Sequence, residues 1–174
     1  MSIYFPTPDY PPSAHKLKGY SFEPVLATAT TAMVNGNLYT ARIPILQADT
    51  ISKLYVYIVA GSGLTNTFMC LYQNGTLLST SLDQSTLFSS SGAKEVTLPA
   101  PVAVSAGFVD VGVWSNSSTT AVAFMRAGAN NGIINLNTTG DEIRFSMLNT
   151  GLTTSAPLTL TKVQSSAGMW AGVA

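Results

Sequence analysis

The chain has 174 residues, 46% apolar and only 9% charged, with eight basic residues balancing eight acidic ones. An ordinary soluble domain carries roughly 25% charged residues, yet this apolar fraction is too high for a disordered chain. The zero net charge and the lack of any Lys/Arg run remove the electrostatic basis for binding nucleic acid or an anionic membrane surface, and no apolar stretch reaches the roughly 18 residues that a membrane span needs.

Residues 1–19 differ from everything after them. Pro6, Pro8, Pro11 and Pro12 interleave with Tyr4, Phe5 and Tyr10. Proline removes backbone donors and biases its neighbours to extended geometry. The pattern predicts an extended arm whose rings dock on a surface, and these seven residues are the candidate assembly contacts. The same terminus has neither the basic nor the apolar region of a secretory signal.

From residue 20 onward the signals are those of a single β domain, residues 20–174. Residues 38–46 read as a strand, with Pro44 at an edge or bend. Residues 51–60 are rich in β-branched and aromatic side chains. Alternation there puts Leu54, Val56 and Ile58 on one face and Tyr55, Tyr57 and Val59 on the other. Two apolar faces predict a central strand whose tyrosines are covered by the arm, a loop or a partner.

Residues 66–73 and 76–80 flank Asn74-Gly75, a dipeptide that tolerates the two positive φ angles of a tight hairpin turn. Further strands are predicted at 94–98, 108–114, 121–126, 133–136, 142–148 and 158–163. Turn chemistry at Ser89-Ser90-Ser91-Gly92 and Asn130-Asn131-Gly132 separates them. Around ten short strands without an amphipathic helix predict an all-β fold: an antiparallel β-sandwich, in jelly-roll form, behind an extended N-terminal arm.

Chemistry is limited by supply. The only histidine, His15, lies in the Pro-rich segment, and the only cysteine, Cys70, lies inside a predicted strand. A nucleophilic triad needs a base within hydrogen-bond reach, and zinc sites need several His or Cys ligands. Cys70 therefore reads as a small buried apolar residue, and no catalytic residue, metal or cofactor is expected.

Carboxylates are harder to dismiss, since a glycosidase needs only two. Asp110 lies inside the strand 108–114, and alternation with Val109, Val111 and Val113 puts it on the solvent face with Phe108, Gly112 and Trp114. Asp141 and Glu142, with loop carbonyls, could hold Ca²⁺. Trp114 runs into Ser115-Asn116-Ser117-Ser118, read as a polar loop. An exposed indole beside Asn116 and Ser117 is the candidate glycan or receptor contact, weighed against a Trp packed at the sandwich end. Trp170 reads as part of an apolar tail that docks as a last strand or at a subunit contact.

One resemblance adds to this reading. Thr50-Ile51-Ser52-Lys53-Leu54-Tyr55-Val56-Tyr57 and Cys70-Leu71-Tyr72-Gln73-Asn74-Gly75-Thr76-Leu77-Leu78 are followed by Leu98-Pro99-Ala100-Pro101-Val102. Gly107-Phe108-Val109-Asp110-Val111-Gly112-Val113 and a closing Met169-Trp170-Ala171-Gly172 complete the series. In that order they resemble a β-sandwich domain of minor tail and other virion surface proteins of bacteriophages that infect actinobacteria.

The resemblance covers residues 20–174 and brings no catalytic residues. It implies a virion structural protein, tail-associated or capsid-decorating, not an enzyme, anchored by the arm. A receptor- or carbohydrate-binding module for host attachment is the alternative. The expected partners are other virion proteins and further copies of the chain, a trimer favoured, with a cell-surface glycan under the alternative. Without a secretion signal, the expected location is the virion, after synthesis in the host cytoplasm.

Overall fold

A computed structural model of the chain describes residues 11–128, 135, 138–149 and 151–174. Their strands are β1 (Gly19–Tyr20), β2 (Ala29–Ala32), β3 (Asn37–Ile45), β4 (Asp49–Val59), β5 (Ser62–Gln73) and β6 (Thr76–Thr80). The series continues with β7 (Gly92–Val104), β8 (Gly107–Thr120), β9 (Ala123–Arg126), β10 (Phe145–Asn149) and β11 (Ala171–Val173). All pairings are antiparallel.

Two sheets pack face to face. One runs β10-β3-β8-β5-β6; the other runs β1-β11-β4-β9-β2, with β7 also on β4. The pairs β3–β8, β4–β7 and β5–β6 are nested in sequence, so the middle of the chain is one long hairpin wrapped across both sheets. Pairing of β5 with β8 closes the wrap. That is the jelly-roll scheme in three nested pairs. Its tip is the β5–β6 turn, where Asn74 and Gly75 both take positive φ, 52° and 76°.

The core between the sheets is aliphatic and aromatic. Leu54, Val56 and Ile58 of β4 meet Ala41, Ile43, Met69, Leu71, Val109, Val111 and Val113 of the other sheet in one cluster. The expected alternation in β4 holds, and β4 is central, bonded to β7 on one edge and to β11 and β9 on the other.

Several expectations are corrected. Residues 115–118 are not a loop: β8 runs on to Thr120, pairing Ser115 with Thr67 and Asn116 with Asn66. Thr67 and Ser115 share a hydroxyl–hydroxyl bond of 2.8 Å, so small polar residues here serve a ladder. The strand expected at 94–98 spans Gly92–Val104, taking Pro99 and Pro101 in a bulge opposite Ser52. Residues 140–142 form a 3₁₀ turn, and the strand begins at Phe145. The strand expected at 133–136 and the turn at 130–132 lie outside the described residues apart from Asn135.

Residues 158–163 are not a strand either. They run over the outer face of the β3–β8–β5 sheet, tied by single bridges and by bonds such as Leu160 N–H to Gly75 O at 2.7 Å. Beneath them lies a second apolar cluster of Leu38, Phe68, Cys70, Tyr72 and Trp114, capped by Ala156 and Leu160.

Of the arm, only residues 11–19 are described; Tyr4, Phe5, Pro6, Pro8 and Tyr10 lie outside. Pro12–His15 form a 3₁₀ turn, not extended chain. Proline suits a first helical position because its missing N–H would be unpaired there anyway. Lys18 N–H bonds Val173 O at 2.8 Å, Leu17 is buried, and Gly19–Tyr20 pair with β11. Residues 11–19 therefore belong to the sandwich.

Ile58 is fully buried at the centre of the core. Ile58→Ala is expected to lower stability by about 2–5 kcal/mol, read as a shift of the urea unfolding midpoint.

Candidate functional site

Of the residues proposed as a glycan contact, Trp114 is closed off, while Asn116 and Ser117 are half-exposed and engaged by neighbouring segments. Trp114 is fully buried, stacked on Phe68 with centroids 5.1 Å apart, and its indole N–H donates to Thr153 O at 3.0 Å. Asn116 donates to Leu152 O, and Ser117 N–H donates to Asn35 Oδ1. The segment after Gly151 covers this end of β8, so Trp114 offers no face to a sugar.

Asp110 is likewise not on a solvent face. It sits opposite Arg42 on β3 and Tyr72 on β5, and the covering segment lays Lys162 on it. The two side chains are 6% and 1% exposed, with Nζ 2.5 Å from Oδ1. The ammonium also donates to Asp141 O at 3.1 Å and Ile143 O at 3.0 Å, which uses all three of its protons. Burial raises the Asp110 carboxyl and lowers the Lys162 ammonium, outweighing the attraction of each for the other.

Arg42 also donates to the Asp141 carbonyl, and its guanidinium lies 4.2 Å from the Phe108 ring centroid. The carbonyl that a Ca²⁺ ion would want at Asp141 is thus already bonded to two cations. Among the described residues, no three His, Cys, Asp or Glu side chains converge on one point.

Cys70 is buried, and burial pushes its thiol up to about 12. His15 lies 3.8 Å from Glu23 and edge-on to Tyr20. Pro11 and Pro12 line a groove with Pro44, Ile45 and Leu46.

What the structure brings together instead is on the outer face of the β4 sheet. Tyr55 and Tyr57 project there from β4, and Trp170 stands just before β11. With Met125 of β9, Ala93 of β7 and His15 of the N-terminal turn they line a groove of about 540 Å³. Gly172 leaves room in this face for Leu17: a Cβ there would lie 3.0 Å from Leu17 Cδ1. Pro24 and Ala27 complete the wall.

The polar rim is defined. Tyr55 O–H donates to Glu95 at 2.7 Å, and Glu95 pairs with Lys53 at 2.6 Å. Hydrogen bonds from Lys53 and Tyr55 hold the Glu95 carboxyl below its usual range. Desolvation, then Glu95, raise the Tyr55 phenol to about 12. Trp170 is 9% exposed, and its indole N–H is buried with no acceptor among the described residues. Its part in a groove was not visible in the sequence, because His15, Tyr57, Met125 and Trp170 are far apart along the chain.

No protein-family model matches this chain, and no curated protein matches it either.

Two outcomes follow. Asp110→Ala leaves Lys162 buried without its carboxylate and is expected to cost about 3–5 kcal/mol, while the paired Asp110→Leu/Lys162→Met variant loses far less; urea unfolding of both measures this. For Tyr55, the raised folded pKa means its stabilising contribution is complete below the unfolded value of 10.0 and is lost as pH rises through about 12. Unfolding midpoints at pH 9 and pH 11.5 are expected to fall further for the wild type than for Tyr55→Phe.

Proposed function

We propose that this chain is a non-enzymatic structural protein of a bacteriophage virion, tail-associated or capsid-decorating, which displays its β-sandwich and is held in the particle by residues 1–10. The observation that carries the reading is the amount of apolar surface the folded domain leaves open. Leu46 is 92% exposed, and Val25, Leu82 and Leu158 are also largely exposed. Large aliphatic side chains left in water on a chain with 9% charged residues support a role in contacts with other proteins.

Leu46 stands in the groove where Pro11 and Pro12 lie, so the root of the arm adjoins one such surface. The resemblance of residues 20–174 to virion surface domains supports the same reading. Association with other virion proteins and with further copies, a trimer favoured, fits closed symmetric assemblies.

Quantitative mass spectrometry of purified particles tests the location. A copy number matching the capsid lattice means decoration, a handful means the tail, and absence from particles overturns the reading. Replacing Tyr4, Phe5 and Tyr10 together by Ser is expected to change stability by less than about 0.5 kcal/mol and to cut incorporation at least tenfold. Unchanged incorporation would remove the arm from the proposal.

A further inference from the structure

We infer that the Tyr55–Tyr57–Trp170 groove is the docking site for the proline-rich segment, residues 2–10, of a neighbouring copy of this chain. The inference uses the arm half of the preceding reading but not the virion assignment.

The groove has the chemistry of a proline-rich peptide site. Such segments dock in aromatic-lined grooves, rings against rings, while donors on the groove take up peptide carbonyls. Tyr57 and Trp170 supply the rings, and Trp170 also supplies a donor: a buried indole N–H without an acceptor among the described residues. A buried donor without an acceptor is costly, so a peptide carbonyl that reaches it adds to the affinity.

The complementary segment is in the same sequence. Ser2-Ile3-Tyr4-Phe5-Pro6-Thr7-Pro8-Asp9-Tyr10 combines two prolines with three aromatic rings. Proline has a carbonyl but no N–H, so such a stretch is rich in acceptors and poor in donors. Asp9 also matches Lys53, which stands beside the Tyr55–Glu95 rim.

The path of the chain points to a neighbour. Pro11 and Pro12 line the groove beside Pro44 and Leu46, which meets the Tyr57 groove at Leu17, and the described chain first reaches the Tyr57 groove at His15. Residues before Pro11 thus join the domain at this neighbouring groove, beyond the Leu17 wall, and not at the Tyr57 groove itself. Ten residues in extended form span about 31 Å, enough to cross to an adjacent copy.

The test uses the full chain with p-benzoylphenylalanine at Tyr57, mixed equally from ¹⁵N-labelled and unlabelled protein, irradiated, and digested with trypsin. The expected product joins position 57 of one isotope to a residue within 1–10 of the other. Trp170→Phe keeps a smaller aromatic ring, removes the N–H, and is expected to weaken self-association about tenfold by light scattering.

A crosslink to residues 1–10 only within one chain, or none to that segment, overturns the inference. So does a chain that stays monomeric at every concentration. Crosslinking of position 57 to another part of a second copy would make the groove a face-to-face interface and overturn the segment's role. Should Trp170→Phe fail to fold, the crosslink alone decides. Loss of the crosslink with undiminished incorporation into particles would remove the groove and leave the arm as an anchor elsewhere.

Discussion

The outer face of the β3–β8–β5 sheet cannot be left in water. Leu38, Phe68, Cys70, Tyr72 and Trp114 stand on it, on the side opposite the inter-sheet core, and all are buried. An antiparallel sheet usually has one wet face; this one has two dry ones. The chain meets that constraint with residues 151–164, which cross the face with few ladder bonds and bury it under Ala156 and Leu160. The domain is therefore two sheets plus a strap.

The same strap explains the buried charge. Asp110 would be a solvent-facing carboxylate on a bare sheet. Covered, it needs a cation, and Lys162 arrives on the covering segment with the Asp141 and Ile143 carbonyls as its remaining acceptors. Charged pairs of this kind are costly to break but weak as net stabilisers. This pair holds the strap in one register, since a shift along the sheet would strand both charges. Gly112, beside Asp110, keeps the layer thin: a Cβ there would sit 2.6 Å from Cys70 Sγ.

The other sheet is treated differently on its outer face. Its inner face fills the core, but outside only part of the apolar surface is covered, by Leu17 over Gly172 and by Pro24 and Ala27 at the wall. Among the described residues the remainder, the aromatic groove with its indole N–H lacking an acceptor, is uncovered. One sheet thus has its outer face closed by the chain itself, while the other keeps an aromatic groove open among the described residues. That asymmetry is why the proposed docking site is on the β4 sheet and not at the β8 end.

Local chemistry was readable without the structure. The Asn74-Gly75 hairpin depends only on two residues that accept positive φ, and the inward set Leu54, Val56 and Ile58 depends only on period-two alternation. With the lack of helical periodicity, these determine an antiparallel sandwich, and burial of Cys70 follows from its apolar neighbours. Trp114, Asp110 and residues 115–118 were misread for one reason. Alternation says which residues share a face of a strand, but not what lies on that face. A segment some forty residues away in sequence covers it, and no local pattern records that contact. The groove is tertiary in the same sense: His15, Tyr57, Met125 and Trp170 meet only because β11 inserts between β1 and β4 and brings the two ends of the described chain onto one sheet.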